Sequence, residues 1–199
     1  MPRVLTEADV ADFRERLCAA AETLFAQKGP DGVTMRELAG ALGVSAMTPY
    51  RYFRDKDDIL AAVRTLGFNR FAAAVEAAFN ATSGPVEGSY AVAESYRRFA
   101  FEHPHTFKLM FDVNQPTERE YPLLVAAEKR AFASMTQHVL RHLAAGTVRG
   151  DAQYLGTISW AAVHGVVMLE LAGKLPSGAS AKLVPDMGAT LLRGLGVTA

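Results

Sequence analysis

The chain has 199 residues, of which half are hydrophobic, and 21 basic side chains balance 21 acidic ones. That composition excludes a disordered tail, because such a chain can bury a core. The zero net charge removes the strongly basic balance that most directly indicates a nucleic-acid-binding protein, although a local basic patch stays possible. The single cysteine, Cys18, excludes an intrachain disulfide framework and a cysteine-rich zinc site.

No stretch near the N-terminus has the apolar run of a signal peptide. The most apolar stretch, residues 158–173, is interrupted by His164 and Glu170. It is also shorter than the about 20 residues that a membrane span needs. We therefore expect a soluble, cytoplasmic protein with no membrane contact.

The hydrophobic period is helical from the start of the chain. Residues 8–27 form a first predicted helix, which Gly29 and Pro30 end. Thr34 and Glu37 fit a capping box that opens a short helix ending at Gly43. Ser45 then begins a second short helix to about Phe53, and Asp55 caps a long one to about Asn80.

Helical patterns continue to the C-terminus, separated by turn residues. A linker at residues 82–85 precedes the next helix, and a loop is predicted over residues 112–121. No segment has the pattern of a strand. The expected fold class is all-α, with about nine helices, the later ones covering residues 85–102, 104–111, 122–145, 151–174 and 181–195.

The two short helices joined at Gly43 have the proportions of a helix-turn-helix, whose second helix enters the DNA major groove. In that helix the hydroxyls of Ser45 and Thr48 suit base edges, and Ala46 and Met47 suit a thymine methyl group. The Tyr50 hydroxyl can reach a phosphate. Nearby positive charge comes from Arg36, Arg51, Arg54 and Lys56, and the N-terminus of the helix opened at Thr34 can receive a phosphate.

Four short motifs in this region resemble the N-terminal signature of TetR-family transcriptional regulators. They are Thr34-Met35-Arg36-Glu37-Leu38-Ala39, Leu42-Gly43-Val44-Ser45, Tyr50-Arg51-Tyr52-Phe53 and Asp55-Lys56-Asp57-Asp58-Ile59-Leu60. The resemblance implies a DNA-binding domain over residues 8–66, with the helix-turn-helix at about 34–53. It also implies a ligand-binding and dimerisation domain over residues 67–199. It assigns DNA contacts to Thr34, Ser45, Thr48 and Tyr50, with Lys56 on the DNA backbone.

Two positions depart from the family pattern. Members often carry Lys-Gly after the capping serine, where this chain has Ala46-Met47, so the base preference should differ. Pro49 stands where an aliphatic residue is usual, and we expect it to stiffen the second helix without breaking it. Residues 1–60 hold eight basic and ten acidic side chains, so attraction to DNA must come from where the basic ones are placed.

The segment 151–174 is apolar almost all round, which predicts a helix buried on every side. In a chain of this size, a second subunit is the easiest cover for one face, and with the final helix it could build a four-helix bundle across a two-fold axis. The predicted interface residues are Ala161, Ala162, Gly165, Met168, Leu169, Leu191 and Leu192.

Trp160, His164 and Gly165 also resemble the WHG-type C-terminal domain of one branch of the TetR family, as do Tyr96-Arg97-Arg98-Phe99-Ala100, His103-Pro104 and Phe107-Lys108-Leu109-Met110-Phe111. His164 is either a hydrogen-bonded core histidine or a polar group in an internal pocket. The candidate pocket residues are Phe99, Phe107, Met110, Phe111, Phe132, Met135, Trp160 and His164.

The sequence gives only weak indications of metal binding or redox chemistry. His138 and His142 have a spacing that can bind a metal, but no glutamate between them completes a zinc-protease pattern. No metal and no cofactor are predicted. Cys18 lies between Leu17 and Ala19, which favours a buried filler over a redox sensor.

The leading hypothesis is a homodimeric repressor that binds a palindromic operator on double-stranded DNA and is released by a largely apolar small-molecule effector. The long helix at residues 55–80 runs from one domain to the other and would transmit the conformational change that the effector causes. One alternative is a helical small-molecule-binding protein whose helix-turn-helix no longer binds DNA, and another is an activator. An enzyme is not predicted, because no nucleophile–base pair or phosphate loop is present.

Overall fold

The computed structural model describes residues 6–111 and 120–195. That part of the chain contains no strand, which confirms the all-α prediction, and the part of the predicted loop at residues 112–119 lies outside it. It holds eight α-helices and one 3₁₀ helix: α1 Glu7–Lys28, α2 Met35–Ala41, the 3₁₀ helix Pro49–Arg51, α3 Lys56–Asn80, α4 Pro85–Glu102, α5 Pro104–Phe111, α6 Pro122–Ala144, α7 Ala152–Leu171 and α8 Ser180–Gly194.

Local chemistry places the helix ends where the sequence predicts them. The Thr34 hydroxyl accepts the Glu37 N–H at 3.3 Å, and the Glu37 carboxylate accepts the Thr34 N–H at 2.8 Å, which is a capping box. At the start of α3, the Asp55 carboxylate accepts the Asp58 N–H at 2.8 Å. Gly43 has a φ of 67°, the left-handed conformation that a side chain disfavours.

The chain divides into two compact units. The first unit combines Met1–Gly67 with His105–Ala127, and the second combines Phe68–Pro104 with Glu128–Ala199. The core of the first unit joins α1, α2 and α3 through fully buried side chains, which include Leu17, Phe25, Leu38 and Ile59.

The first unit ends near residue 67 and then takes up α5 and the start of α6, which come later in the chain. Leu109 of α5 is buried in the core of the first unit. The guanidinium of Arg64 donates to the Met110 carbonyl at 3.4 Å. Gly67 permits the close approach, because a Cβ there would lie 2.8 Å from the Thr106 methyl group. Sequence order alone puts α5 in the C-terminal domain, whereas its packing puts it in the first unit.

The second unit is built from α4, α6, α7, α8 and the end of α3. Helices α6 and α7 cross closely at Gly156, where a Cβ would lie 2.3 Å from the Thr136 methyl group. The predicted linker at residues 82–85 is a turn inside this unit. Arg141 holds it by donating to the carbonyls of Thr82 at 3.0 Å and Gly84 at 3.3 Å.

Helix α7 is only partly buried within the single chain, and cover of its remaining face by a second subunit stays a prediction. Met168 is 39% exposed and Leu169 is 48% exposed, and a Cβ added to Gly165 would meet no atom within 4 Å. Among the described helices, α7 alone has the length and apolar composition of a membrane-crossing helix, a weak signal that the core helix of a soluble protein also gives.

A carboxylate on α7 holds the start of α8. Glu170 accepts the backbone N–H groups of Gly178 at 2.5 Å and Ser180 at 2.6 Å. An anion at the N-terminus of a helix satisfies donors that have no partner inside the helix. The loop between the two helices is therefore tied to both.

Candidate nucleic-acid interface and ligand cavity

The segment predicted as the second helix of the helix-turn-helix is a single 3₁₀ turn. Three of its N–H groups bond three residues back, from Thr48 to Ser45 at 2.9 Å, from Arg51 to Thr48 at 3.1 Å and from Tyr52 to Pro49 at 3.0 Å, whereas the Phe53 N–H bonds four residues back to Pro49 at 3.0 Å. Pro49 has no N–H to donate to the Ser45 carbonyl, so one α-helical hydrogen bond is missing there, and the segment around it is 3₁₀. The expected α-helix from Ser45 to Phe53 is therefore wrong, and Pro49 does more than stiffen it.

The hydroxyl of Ser45 does not cap this segment, as the sequence suggested. It lies 3.0 Å from the Thr48 hydroxyl, and either group can be the donor. Each of the two hydroxyl groups keeps an unused donor or acceptor, which suits hydrogen bonds to base edges.

The side chains predicted to contact bases and phosphate face outward. Met47 is 69% exposed and Tyr50 is 48% exposed, three residues apart on the same turn. Ser45, Ala46 and Arg51 are also exposed, and Thr48 is half-buried. Two large, adjacent and exposed side chains mark a surface that another molecule can cover.

Three basic side chains around this turn are available to an anion. Within residues 6–111 and 120–195, Arg36, Arg51 and Lys56 make no ion pair, and both arginines are exposed. Arg54 differs from them, because its Nε lies 3.7 Å from the Asp58 carboxylate. The predicted basic cluster therefore contributes three unpaired charges and one that is partly neutralised.

The N-terminus of α2 already carries a negative charge. The Glu37 carboxylate accepts the N–H and the hydroxyl of Thr34, both at 2.8 Å, and lies 2.7 Å from the Lys28 ammonium group. Hydrogen bonds from Lys28 and then Thr34 lower the pKa of Glu37 to about 2, so this group is ionised. A phosphate arriving at Thr34, as the sequence predicts, would meet this carboxylate.

Helix α1 braces the turn through residues that sequence reasoning missed. Arg14 donates to the Tyr52 carbonyl, and its guanidinium carbon lies 4.0 Å from the centre of the Phe53 ring. The Phe13 ring stacks on Tyr52 with 4.2 Å between centroids. The contacts join residues almost forty positions apart, so no local pattern could reveal them.

A narrow cavity lies among α4, α6, α7 and α8 of the second unit. Its walls are mostly aliphatic, and the lining residues include no lysine, arginine, aspartate or glutamate. The lining residues are Ser89, Val92, Ala93, Met135, His138, Val139, His142, Val148, Leu155, Ser159, Val163, Met187, Gly188, Leu191, Leu192 and Leu195.

One end of the cavity carries a chain of hydrogen bonds. The Ser89 hydroxyl lies 2.9 Å from His138 Nδ1 and 3.1 Å from His142 Nε2. His142 Nδ1 in turn lies 2.8 Å from the Thr147 hydroxyl. The two histidines that the sequence showed as a helical pair are joined by a serine on another helix, and Ser89 had no sequence signal.

The predicted pocket residues divide into three groups. Met135 lines this cavity. Phe99, Phe132, Trp160 and His164 belong to the second unit without lining it, whereas Phe107, Met110 and Phe111 lie in the first unit. The structure therefore does not gather the eight residues into one pocket, because α5 packs with the N-terminal helices.

His164 is a hydrogen-bonded interior residue. Its Nδ1 lies 2.6 Å from the Tyr96 hydroxyl, and its ring centroid is 6.0 Å from that of Trp160. Burial raises the pKa of Tyr96 above its usual range, so the phenol stays protonated and can donate to His164.

The predicted interface residues also divide. Ala161, Met168 and Leu169 are exposed on α7, and Ala162 and Gly165 are half-buried beside them. Leu191 and Leu192 of α8 line the cavity instead. The exposed apolar face is therefore mainly a property of α7.

The remaining reactive groups have ordinary structural surroundings. Cys18 is buried, and burial raises the pKa of its thiol to about 11, which keeps it protonated and unreactive. The described residues contain no group of three or more histidine, cysteine or acidic side chains that could hold a metal ion.

Comparisons with protein families and with known proteins agree on one family. The family model for bacterial regulatory proteins of the tetR family matches residues 17–63. The model for the tetracyclin repressor-like C-terminal domain matches residues 89–190. The first match spans the predicted helix-turn-helix, and the second spans most of the residues that line the cavity.

Known proteins resemble the chain along most of its length. An uncharacterized HTH-type transcriptional regulator of Mycobacterium tuberculosis is 24% identical over 92% of this chain and 81% of its own length. A protein of unknown function from Rhodococcus is 31% identical, with a TM-score of 0.81 over 92% of this chain and 95% of that one. The TetR-family regulator PfmR of Thermus thermophilus shares the fold, at 23% identity and a TM-score of 0.71 over 90% of this chain and 98% of that one.

Proposed function

The chain belongs to the TetR family of transcriptional regulators, and from that premise we propose that it is a homodimeric repressor released from DNA by a small molecule. It is a DNA-binding regulator rather than an enzyme. Acting on operator DNA, it would work in the cytoplasm.

The exposed 3₁₀ turn is the observation that carries the proposed DNA contact. Tyr50 projects from it, and Met47 is exposed two residues before it. Arg51 ends it and Lys56 follows it, both without ion-pair partners among the described residues. Cations of this kind replace the counterions of DNA phosphates, whereas Ser45, Ala46, Met47 and Thr48 offer contacts that distinguish bases. This division of roles is typical of a regulator that binds a specific operator.

The apolar face of α7 supports the proposed dimer. Met168 and Leu169 are exposed on it, and Gly165 leaves room for the backbone of another helix. Two copies related by a two-fold axis would cover these faces with each other. Their turns would then bind the half-sites of a palindrome spaced one helical turn apart, about 34 Å.

The cavity of the second unit is the proposed effector site. Helix α3 begins at Lys56, beside the DNA-binding turn, and ends at Asn80 in the second unit. An effector that favours one arrangement of the helices would change the spacing of the two turns through α3. A differential affinity of about 1–3 kcal/mol between the two states is typical of such coupling.

Binding to the DNA upstream of the protein's own gene tests this function, measured by fluorescence anisotropy over a range of salt concentrations. The Tyr50→Phe, Lys56→Ala double variant should weaken binding on all sequences and reduce the salt slope by about 1. Thr48→Ala should change the sequence preference instead. Arg149→Ala, an exposed cation of the second unit, is the matched control and should behave as the unmodified protein.

A second candidate function follows from the shortened turn and the excess of acidic residues in 1–60. If no specific, salt-dependent binding is measured, the chain is a small-molecule-binding protein whose helix-turn-helix is inactive. If operator binding raises transcription in a reconstituted assay, the chain is an activator, and the repressor assignment is wrong.

A further inference from the structure

The cavity has one polar end, and its chemistry limits the molecules that it can hold. Ser89 on α4 and His138 and His142 on α6 meet there, and the rest of the wall is almost entirely aliphatic. Ser159 also lines the cavity, but its hydroxyl donates to the Leu155 carbonyl at 3.0 Å.

The hydrogen-bond chain uses up every polar atom at this end except one. Thr147, His142 and Ser89 each bond to the next group, and the chain finishes at His138 Nδ1. His138 Nε2 makes no hydrogen bond to any residue that the structure describes, although the side chain is only 7% exposed and lines the cavity. Because His138 lines the cavity, a ligand in the cavity can supply the hydrogen-bond partner that Nε2 lacks.

No formal charge among the lining residues can balance a charged ligand. Burial, together with the neighbouring His142, lowers the pKa of His138 to about 4, so His138 is neutral at pH 7. Burial also lowers the pKa of His142. A carboxylate or an ammonium group would lose its water without gaining an opposite charge, which is strongly unfavourable.

The direction of the hydrogen bonds decides whether His138 Nε2 donates or accepts. If Thr147 donates to His142 and Ser89 donates to His138, the donors run toward His138, and Nε2 carries the proton. If the Ser89 hydroxyl instead donates to the Pro85 carbonyl at 3.2 Å, or the Thr147 hydroxyl to the His142 carbonyl at 3.1 Å, His138 Nδ1 donates to Ser89 and Nε2 accepts. A hydroxyl group satisfies Nε2 in each case, and a carbonyl group satisfies it in the first.

We propose that the effector is an uncharged, largely apolar molecule whose hydroxyl or carbonyl group hydrogen-bonds Nε2 of His138. This inference rests on the proposed function only in taking the cavity as the effector site. Its aliphatic part would lie along Val92, Val139, Leu155 and Leu191.

Three probes with the same chain length test the preference for an uncharged group: octan-1-ol, octanoate and octylammonium. Isothermal titration calorimetry of the full-length protein at pH 7 should show octan-1-ol binding at least about 10-fold more tightly than either ion. Long-range ¹H–¹⁵N spectra should show the Nε2 resonance of His138 moving when the alcohol binds.

Two substitutions connect the preference to His138. His138→Leu should lower octan-1-ol affinity about 10-fold, and His138→Gln, whose amide nitrogen or oxygen reaches the Nε2 position, should restore part of it. His105→Leu is the control, because His105 is exposed on α5 and does not line the cavity.

Several results would overturn the proposal. These are tighter binding of an ion than of the alcohol, no binding of any probe, or unchanged alcohol affinity in both His138 variants. None of these measurements involves DNA. Alcohol binding that leaves operator affinity unchanged would therefore contradict the proposed regulation but not the proposed ligand class. Tighter binding of an ion, with normal operator binding, would contradict the ligand class but not the DNA-binding function.

Discussion

Arg14 shows how a residue of a neighbouring helix can fix the shape of the proposed DNA-binding surface. A 3₁₀ turn of three residues has few internal hydrogen bonds, so its position depends on what it packs against. Arg14 supplies a charged donor to the Tyr52 carbonyl and a cation–π contact to Phe53, and Phe13 stacks on Tyr52. These contacts hold the C-terminal side of the turn against α1.

We expect Arg14→Leu to lower both stability and operator affinity. Loss of the charged hydrogen bond and the cation–π contact should cost about 2 kcal/mol in the free energy of unfolding. Operator affinity should fall about 10-fold, since the turn loses its fixed position. Urea unfolding and fluorescence anisotropy measure the two effects.

Arg16→Leu is the matched control for this substitution. Arg16 lies half a turn further along α1, and its ion pair with Asp12, at 3.5 Å, is exposed. An exposed pair of this kind contributes less than about 0.5 kcal/mol. Equal losses in the two variants would show that the bracing contact has no special role.

At the scale of elements, helix boundaries could be predicted because their chemistry is local. The Thr34–Glu37 capping box, the Asp55 cap and the turn at Gly43 each depend on residues within four positions of one another. The 3₁₀ turn was mispredicted although Pro49 was visible, because a proline near a helix start is compatible with either helix type. The missing hydrogen bond to Ser45 decided the outcome.

The crossing of α6 and α7 depends on Gly156, and we expect Gly156→Ala to destabilise the fold. The added methyl group would lie 2.6 Å from the Thr136 Cβ, an atom that cannot move without the backbone of α6. Overpacking of this kind costs about 1–3 kcal/mol. Thermal unfolding followed by circular dichroism measures it.

We expect Gly40→Ala to have the opposite effect on stability. Gly40 lies in α2, and an added Cβ would meet no atom within 4 Å. The substitution should stabilise the helix by about 0.5–1 kcal/mol. A stabilised Gly156→Ala variant would mean that the two helices can separate without cost.

At the scale of the whole molecule, the exposed face of α7 should determine the oligomeric state. Leu169→Glu would place a carboxylate in the proposed interface, where it would lose its water without a partner. We expect this variant to be a monomer with weak operator binding, measured by sedimentation velocity and anisotropy. Leu123→Glu, at an exposed position in the first unit, should stay a dimer.

The sequence revealed more of the proposed DNA-binding surface than of the cavity. The residues proposed to contact DNA lie in one short segment, so a motif of neighbouring residues predicts them. The cavity is assembled from four helices, and its polar end joins Ser89 to histidines about fifty positions later. Aromatic residues such as Phe107 and Phe111 resembled pocket residues by type, but only packing shows that α5 belongs to the first unit.

The carboxylate of Glu170 has a kinetic consequence for assembly. Since it holds the start of α8 to α7 through Gly178 and Ser180, the apolar face and its flanking loop are already ordered in a single chain. Association of two copies would then dock preformed surfaces rather than fold new ones, and rate constants of about 10⁵–10⁷ M⁻¹s⁻¹ are typical of that process. Newly made subunits would pair quickly, and the lifetime of the pair would be determined by dissociation.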